Sequence, residues 1–264
     1  MLLEVKDLNI SLTSEKSVAE HISFRLGQGE MLSIVGSSGA GKTTICKAVM
    51  GLLGNAYRAK GSILFHGREL LTLLDRERRT IYGKEICLIM QNPMTAFNPS
   101  IRVARQLEKT YQLHHSKTSR KEMYEIFSNL LQRLGLEDTT RILNSYPFTL
   151  SGGMLQRVSM ACLGGLAPRY ILADEPTSAL DEENRDHLLT LLRKIYHSAG
   201  ILFVSHDVSA LKMLCRETVI LEQGAMIERQ NTEALFAHPQ QAWTQAFVHA
   251  AETRKGGGWS WKAL

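Results

Sequence analysis

The first stretch of the chain, to about residue 30, alternates apolar and polar positions. Alternation with a period of two is typical of half-buried antiparallel strands. We therefore predict an antiparallel β lobe at the N-terminus. Its inward-facing residues are Leu3, Val5, Leu8, Ile10, Val18, Ile22, Phe24 and Leu26.

The rest of the chain alternates short apolar runs with helical patterns, which is typical of an α/β domain. The pattern predicts a helix after the glycine loop at 36–41, a charged helical region, a hairpin and a pair of helices near the C-terminus. Four apolar runs end at a glycine or a polar residue and predict buried strands; they are residues 31–35, 85–90, 170–173 and 201–204. The other predicted elements are the helix at 43–53, the helical region at 100–150, the hairpin at 218–228 and the helices within 231–251.

Composition restricts the function only slightly. The chain has 264 residues, of which 44% are hydrophobic, and its net charge is +5. The basic residues are scattered, so we interpret them as an ordinary solvated surface rather than a nucleic-acid interface. No apolar segment is long enough for a signal peptide or a membrane span, so any work at a membrane is expected through a partner. The cysteines lack metal-ligand spacing and are expected to be small buried hydrophobes in a reducing compartment: Cys46, Cys87, Cys162 and Cys215.

A glycine-rich loop follows the predicted strand 31–35 and has the pattern glycine, four residues, Gly-Lys-Thr. Between a strand and a helix, such a loop turns its backbone N–H groups around phosphates, and the helix adds the positive end of its dipole. Lys42 is predicted to reach the β- and γ-phosphates, and the Thr43 hydroxyl to bind Mg²⁺. The predicted nucleotide-binding residues here are Gly36, Ser37, Ser38, Gly39, Ala40, Gly41, Lys42, Thr43 and Thr44.

A second candidate segment is the apolar run 170–173, which ends in Asp174 and Glu175. A buried strand delivers Asp174 to the shell of the Mg²⁺ ion, and Glu175 is placed to polarise the attacking water as general base. A third segment is Ser151, Gly152 and Gly153, which precedes a predicted helix at 155–167 and supplies a second helix end able to bind phosphate. Because the glycine loop already serves one nucleotide, this end is expected to serve a nucleotide held by another subunit.

In this order, the three segments resemble those of ABC transporter ATPases over nearly the whole chain. The resemblance implies that Gln91 senses Mg²⁺ and links ATP to a permease, that Asp181 lies in the loop crossing a dimer interface, and that His206 contacts the γ-phosphate. It makes Glu175, His206 and Gln91 the catalytic residues, Thr43 and Gln91 the Mg²⁺ contacts, and ATP with Mg²⁺ the ligands.

The resemblance also implies the architecture. We expect a RecA-like P-loop core with the N-terminal antiparallel lobe and an inserted helical subdomain. The boundaries expected are 1–90 and 158–235 for the core with its lobe, 91–157 for the helical subdomain and 236–264 for a helical tail. The expected partners are two membrane permease subunits, a second ATPase (a related chain or a copy of this one) in a head-to-tail dimer, and indirectly a solute-binding protein. Nucleic acid is not an expected partner, and the expected location is the cytoplasmic face of the inner membrane, as a peripheral subunit.

The cargo is indicated only by finer resemblance. Segments 90–99 and 146–157 resemble the oligopeptide, dipeptide and nickel importer branch, and Phe97 with Tyr146-Pro147-Phe148 resembles its nickel and metal-chelate members. We therefore expect uptake of nickel or another metal, with di- or oligopeptides as the alternative. A nucleic-acid ABC ATPase is disfavoured because the chain has no coiled-coil or zinc insertion. Many family members carry an aromatic near position 12 that stacks on adenine, whereas this chain has Leu12, which leaves the adenine contact open.

Overall fold

The structure is a computed structural model that describes residues 2–115, 117–178, 180 and 182–253. Within these ranges the strands, β1 to β10 in chain order, are Leu2–Leu12, Ser17–Gly27, Met31–Gly36, Tyr57–Phe65, Arg68–Glu69, Ile86–Ile89, Tyr170–Asp174, Gly200–Val204, Glu217–Glu222 and Ala225–Asn231. The helices, α1 to α10, are Lys42–Val49, Asp75–Ile81, Val103–Gln112, Arg120–Arg133, Thr139–Asn144, Gly152–Leu166, Glu182–Ile195, Val208–Leu214, Thr232–Ala237 and Ala242–Thr253. None of these helices is long and apolar enough to cross a membrane.

The described residues form two units. The first comprises those within Met1–Thr80 and Gly200–Leu264. Its strands follow the order β5-β4-β1-β2-β10-β9-β3-β8. The predicted N-terminal antiparallel lobe is confirmed, because β1 pairs antiparallel with both β2 and β4. At the other end of this order, β3 lies between β8 and β9 and is parallel to both.

The parallel strands of the first unit are buried because their sequences are nearly continuous apolar runs. All of β8 is buried, and β3 is buried from Leu32 to its last residue. The predicted hairpin is confirmed as β9 and β10, which pair antiparallel around the turn at Gln223 and Gly224. The two predicted helices near the C-terminus are confirmed as α9 and α10.

The second unit covers the described residues from Ile81 to Ala199. It contains the parallel pair β6 and β7, in which Ile89 lies opposite Ala173. Helices α3 to α5 confirm the helical region predicted at 100–150. Ser119 caps α4, because its hydroxyl accepts a hydrogen bond from the Glu122 backbone N–H, a common start signal for helices. The Tyr196 hydroxyl donates to the Met160 carbonyl and ties the end of α7 to α6.

Two helices have boundaries that differ from the sequence prediction. The helix predicted at 43–53 ends at Val49, and the turn that follows includes Gly51, whose backbone is left-handed with φ of 63°. The helix predicted at 155–167 begins at Gly152, because the Ser151 hydroxyl accepts a hydrogen bond from the Met154 backbone N–H and caps it. It ends at Leu166, and Ala167 is left-handed with φ of 48°. The division into core, helical subdomain and tail stays a prediction.

Candidate functional site

The glycine loop in the first unit runs from the end of β3 into α1. Strand β3 ends at Gly36, where a Cβ atom would lie only 2.3 Å from the Leu221 carbonyl oxygen of β9. Only glycine fits this close approach to β9 at the point where the strand ends. The helix that follows begins at Lys42, has Gly41 at its N-cap, and has neither a side-chain cap nor an acidic residue in its first turn. Its first N–H groups and the positive end of its dipole are therefore suited to an anion.

Two glycines of the loop have left-handed backbones but different surroundings. The φ angle is 83° at Gly39 and 89° at Gly41. A Cβ atom at Gly39 would meet nothing within 4 Å, whereas one at Gly41 would lie 2.6 Å from the Val18 carbonyl oxygen of β2. The loop is thus held against the start of β2 at Gly41, and the backbone there forms a cradle that a side chain would fill.

The Lys42 side chain curls back over the loop. Its Nζ donates hydrogen bonds to the carbonyl oxygens of Gly36 and Ser37, each at 2.7 Å. These bonds hold the ammonium group beside the N-terminus of α1, where it adds a full positive charge to the helix dipole. Thr43 is exposed in the first turn of α1 and Thr44 is half-buried. The loop therefore combines oriented backbone donors, a cation and a hydroxyl, which is the set that a triphosphate with Mg²⁺ requires.

His206 lies at the same edge of the first unit's sheet as the glycine loop. Val204, the last residue of β8, pairs with Ile34 of β3, so both parallel strands reach their carboxyl ends together. The residues beside His206 are fixed: the Asp207 carboxylate caps α8 by accepting from the Ser209 N–H at 2.9 Å, and the Ser205 hydroxyl accepts from the Asp207 N–H at 3.1 Å. The structure thus brings His206 and the glycine loop to one edge of one sheet.

The second unit brings three predicted residues to one sheet edge in the same way. Because Ile89 of β6 lies opposite Ala173 of β7, the carboxyl ends of the two strands coincide. Gln91 follows β6 and is exposed, Asp174 ends β7 and is buried, and Glu175 follows it and is half-buried. Carboxylate and amide oxygens are ligands that Mg²⁺ favours.

Glu175 has a left-handed backbone with φ of 49°. This conformation costs a non-glycine residue about 1–2 kcal/mol, and such residues cluster at functional sites. Here the turn that follows holds it, because both the backbone N–H and the hydroxyl of Ser178 donate to the Glu175 carbonyl oxygen, at 3.2 and 3.1 Å. The turn therefore sets the direction in which the chain, and with it the carboxylate, leaves the strand.

The Ser151 segment forms the N-terminus of the fifteen-residue helix α6 in the second unit. Ser151 and Gly152 are exposed, and the first turn of the helix has no acidic residue. The Ser151 hydroxyl accepts a hydrogen bond from the Met154 N–H at 3.2 Å. Since a hydroxyl that accepts can still donate its own proton, this cap leaves Ser151 able to bind an anion.

Asp181 lies outside the described residues. Leu12 is the last residue of β1, and its partner across the antiparallel pair is Tyr57, the first residue of β4. An aromatic contact to adenine was expected only near position 12, because the register of β1 against β4 cannot be read from either strand alone.

Known proteins that resemble this chain are ATP-binding subunits of transporters. A family model described as ABC transporter matches residues 19–178. The metal-staphylopine import system ATP-binding protein CntD of Staphylococcus aureus is 35% identical over 247 residues, which cover 92% of this chain and 91% of that protein. A probable peptide ABC transporter ATP-binding protein of Sinorhizobium fredii is 34% identical and covers 97% of this chain and 78% of its own length.

Among solved structures, a similar one is the dimeric ATP-binding cassette MJ0796 in a post-hydrolysis state bound to ADP and Pi. It superposes with a TM-score of 0.78 at 24% sequence identity, covering 88% of this chain and 99% of that one. This similarity concerns the fold.

Proposed function

Because this chain belongs to the ABC transporter family of ATP-binding proteins, we propose that it drives an importer whose cargo is nickel or another metal or metal chelate. The chain is an ATPase coupled to transport, and its α/β P-loop fold is the predicted one. The observation that carries the nucleotide site is the glycine loop, in which Gly41 is left-handed against β2 and Lys42 is held over the loop carbonyls. The roles of single residues are part of this proposal and rest on that loop.

In the first unit, the backbone of residues 36–43 and the helix α1 N-terminus bind the phosphates, with Thr44 beside them. Lys42 contributes its charge to the β- and γ-phosphates, and the exposed Thr43 hydroxyl is a ligand for Mg²⁺. When bound, Mg²⁺ neutralises the charge that develops on the phosphates. His206 contacts the γ-phosphate, and its position is supported by the shared edge of β3 and β8.

In the second unit, Glu175 is the general base that accepts a proton from the attacking water, while Asp174 and Gln91 serve the Mg²⁺ ion. Support comes from the parallel strands β6 and β7, whose carboxyl ends coincide and place all three residues at one edge of the sheet. The turn fixes the backbone from which the Glu175 carboxylate projects, so the chain itself needs little reorganisation at the moment of proton transfer.

The N-terminus of α6 serves a nucleotide bound by a second ATPase, which is either a related chain or a copy of this one. The exposed Ser151 and Gly152, with the adjoining Gly153, support this role, as does the first turn without acidic residues. Two permease subunits hold the ATPase pair at the cytoplasmic face of the membrane, and a solute-binding protein delivers the cargo to them. ATP-driven closure of the pair and opening after hydrolysis then move the permease, a two-state change biased by the ligand.

The metal cargo is supported by the similarity to a metal-staphylopine import subunit and by the resemblance of Phe97 and residues 146–148 to metal-importing members. Peptide import is the second candidate. It is favoured by the relatives named for peptide and oligopeptide transport, at 34% and 32% identity. The cargo is selected by the partners rather than by this subunit, so the two candidates separate only in the assembled transporter.

The test is deletion of the gene, followed by measurement of cellular nickel and of growth on peptides as the required nutrient. Wild-type chain restored to the deletion strain is compared with Lys42→Ala, which should leave the complex assembled at the membrane but unable to bind ATP. The metal proposal predicts low nickel in the deletion and Lys42→Ala strains and normal growth on peptides. Unchanged nickel with lost growth on peptides would establish the peptide alternative instead.

A further inference from the structure

The glycine loop lies against one particular face of the β1–β2–β4 sheet. A Cβ atom at Gly41 would lie 3.6 Å from the Ala19 Cβ of β2. Since neighbouring residues of a strand point to opposite faces, the Ala19 side chain marks the face that the loop covers. Ala19 is fully buried, as expected for a residue beneath the loop.

The register carries this face across the sheet to the start of β4. Ala19 pairs with Ile10 of β1, and Ile10 pairs with Ala59 of β4, so these three side chains share the face. Leu12 is two residues beyond Ile10 and therefore points the same way. Its partner Tyr57 also lies on this face, with an unbroken register between β1 and β4 from Asn9 to Leu12.

The separation suits a nucleotide. Two strand spacings of about 4.8 Å place Ala59 roughly 10 Å from Ala19, and two residues along β4 add about 7 Å in the perpendicular direction. Tyr57 thus starts roughly 12 Å from Ala19, the residue beneath the loop, and its ring extends further. The tyrosine is half-buried, so part of its ring is accessible.

The other large aromatics described in the first unit are already packed. Phe24, Phe65 and Phe203 are buried in the core. The remaining three pack against one another on α9 and α10, with ring centroids 5.4 to 6.2 Å apart: Phe236, Trp243 and Phe247. Tyr57 is therefore the aromatic of these ranges that lies on the loop's face and keeps an accessible ring.

We propose that Tyr57 stacks on the base of the nucleotide whose phosphates the glycine loop binds, from the strand opposite Leu12. The inference rests on the proposal that residues 36–44 hold a triphosphate. Stacking on an aromatic ring stabilises any base, because every base has a π-face. Tyr57 therefore raises the affinity for ATP and GTP together and contributes little to the choice between them.

The experiment measures equilibrium binding of MgATP, MgGTP and inorganic triphosphate to the wild-type chain and its variants. Tyr57→Ala is expected to weaken both nucleotides by about 5- to 150-fold, the range of base stacking on aromatic side chains. Inorganic triphosphate, which has no base, should bind within about twofold of the wild type. Tyr57→Phe should behave as the wild type, and Leu12→Phe added to Tyr57→Ala should restore nucleotide affinity from the neighbouring strand.

Tyr57→Leu serves the same purpose as Tyr57→Ala if alanine unfolds the start of β4, because leucine keeps an apolar side chain there. Unchanged nucleotide affinity in either variant would overturn the inference. A parallel loss of inorganic triphosphate binding would also overturn it, since Tyr57 would then be supporting the loop itself. Failure of the wild-type chain to bind any of the three ligands would instead refute the proposed nucleotide site.

Discussion

Alanine substitutions at Gly39 and Gly41 distinguish two reasons why the loop has glycine: a left-handed backbone at both positions, and lack of space for a side chain at Gly41. Both residues are left-handed, with φ of 83° and 89°, so each substitution costs about 1–2 kcal/mol of backbone strain. Only Gly41→Ala adds a collision, because its Cβ would lie 2.6 Å from the Val18 carbonyl oxygen, whereas a Cβ at Gly39 meets nothing within 4 Å. Backbone must move to relieve that overlap, and overpacking typically costs a further ~1–3 kcal/mol.

The assay is thermal unfolding of the two variants, paired with binding of MgATP. The difference of about 1–3 kcal/mol corresponds to a Tm for Gly41→Ala that is roughly 2–12 °C below that of Gly39→Ala. Gly41→Ala should also lose more affinity for MgATP, because relief of the collision moves the loop away from β2. Equal Tm values for the two variants would show that the loop is not held against β2 at Gly41.

Two further predictions concern groups outside the nucleotide site. Burial raises the pKa of Glu228, but the Thr244 hydroxyl and the backbone N–H groups of Gln240 and Gln241 lower it more, so that it lies below its ordinary value. The carboxylate therefore stabilises the fold above about pH 4.3, and this contribution is lost as the pH falls through the lowered pKa. Glu228→Gln should cost about 1–3 kcal/mol in denaturant unfolding at pH 7, and this cost should shrink steadily as the pH is lowered below about 4.3. A cost that stays the same at every acid pH would contradict the assignment. Burial also raises the pKa of the Cys87 and Cys215 thiols to about 12, so iodoacetamide at pH 8 should label them only after unfolding. Rapid labelling of either thiol in the folded chain would show that it is not buried.

The elements that the sequence predicted are those whose signals are local. The glycine loop is recognisable because a buried strand, the Gly-Lys-Thr pattern and a helix follow one another directly, and the structure has them as β3, residues 37–41 and α1. The acidic pair at the end of β7 is likewise read from one apolar run. The start of α6 could also have been read locally, because a serine before two glycines is a common N-cap, and in the structure the Ser151 hydroxyl accepts from the Met154 N–H.

Features that depend on pairing between distant segments were not predictable. The register that places Tyr57 opposite Leu12 joins strands separated by more than forty residues, and no periodicity within either strand encodes it. The close approach of Gly41 to Val18 has the same origin, because it follows from how β2 lies beside the loop. The left-handed backbone of Glu175 was missed for a different, local reason. It depends on the turn made by Ser178, which apolar patterning does not reveal.

The role of Glu175 as general base is tested by measuring ATP turnover of Glu175→Gln in the assembled transporter, together with its affinity for MgATP. The amide keeps the size of the side chain but has almost no basicity, so turnover should fall by about 10²–10⁴-fold while MgATP still binds, because the glycine loop is untouched. Glu137→Gln, which alters an exposed carboxylate of the same unit, should leave turnover unchanged. Turnover near that of the wild type in Glu175→Gln would contradict the account, since the general base would then lie elsewhere.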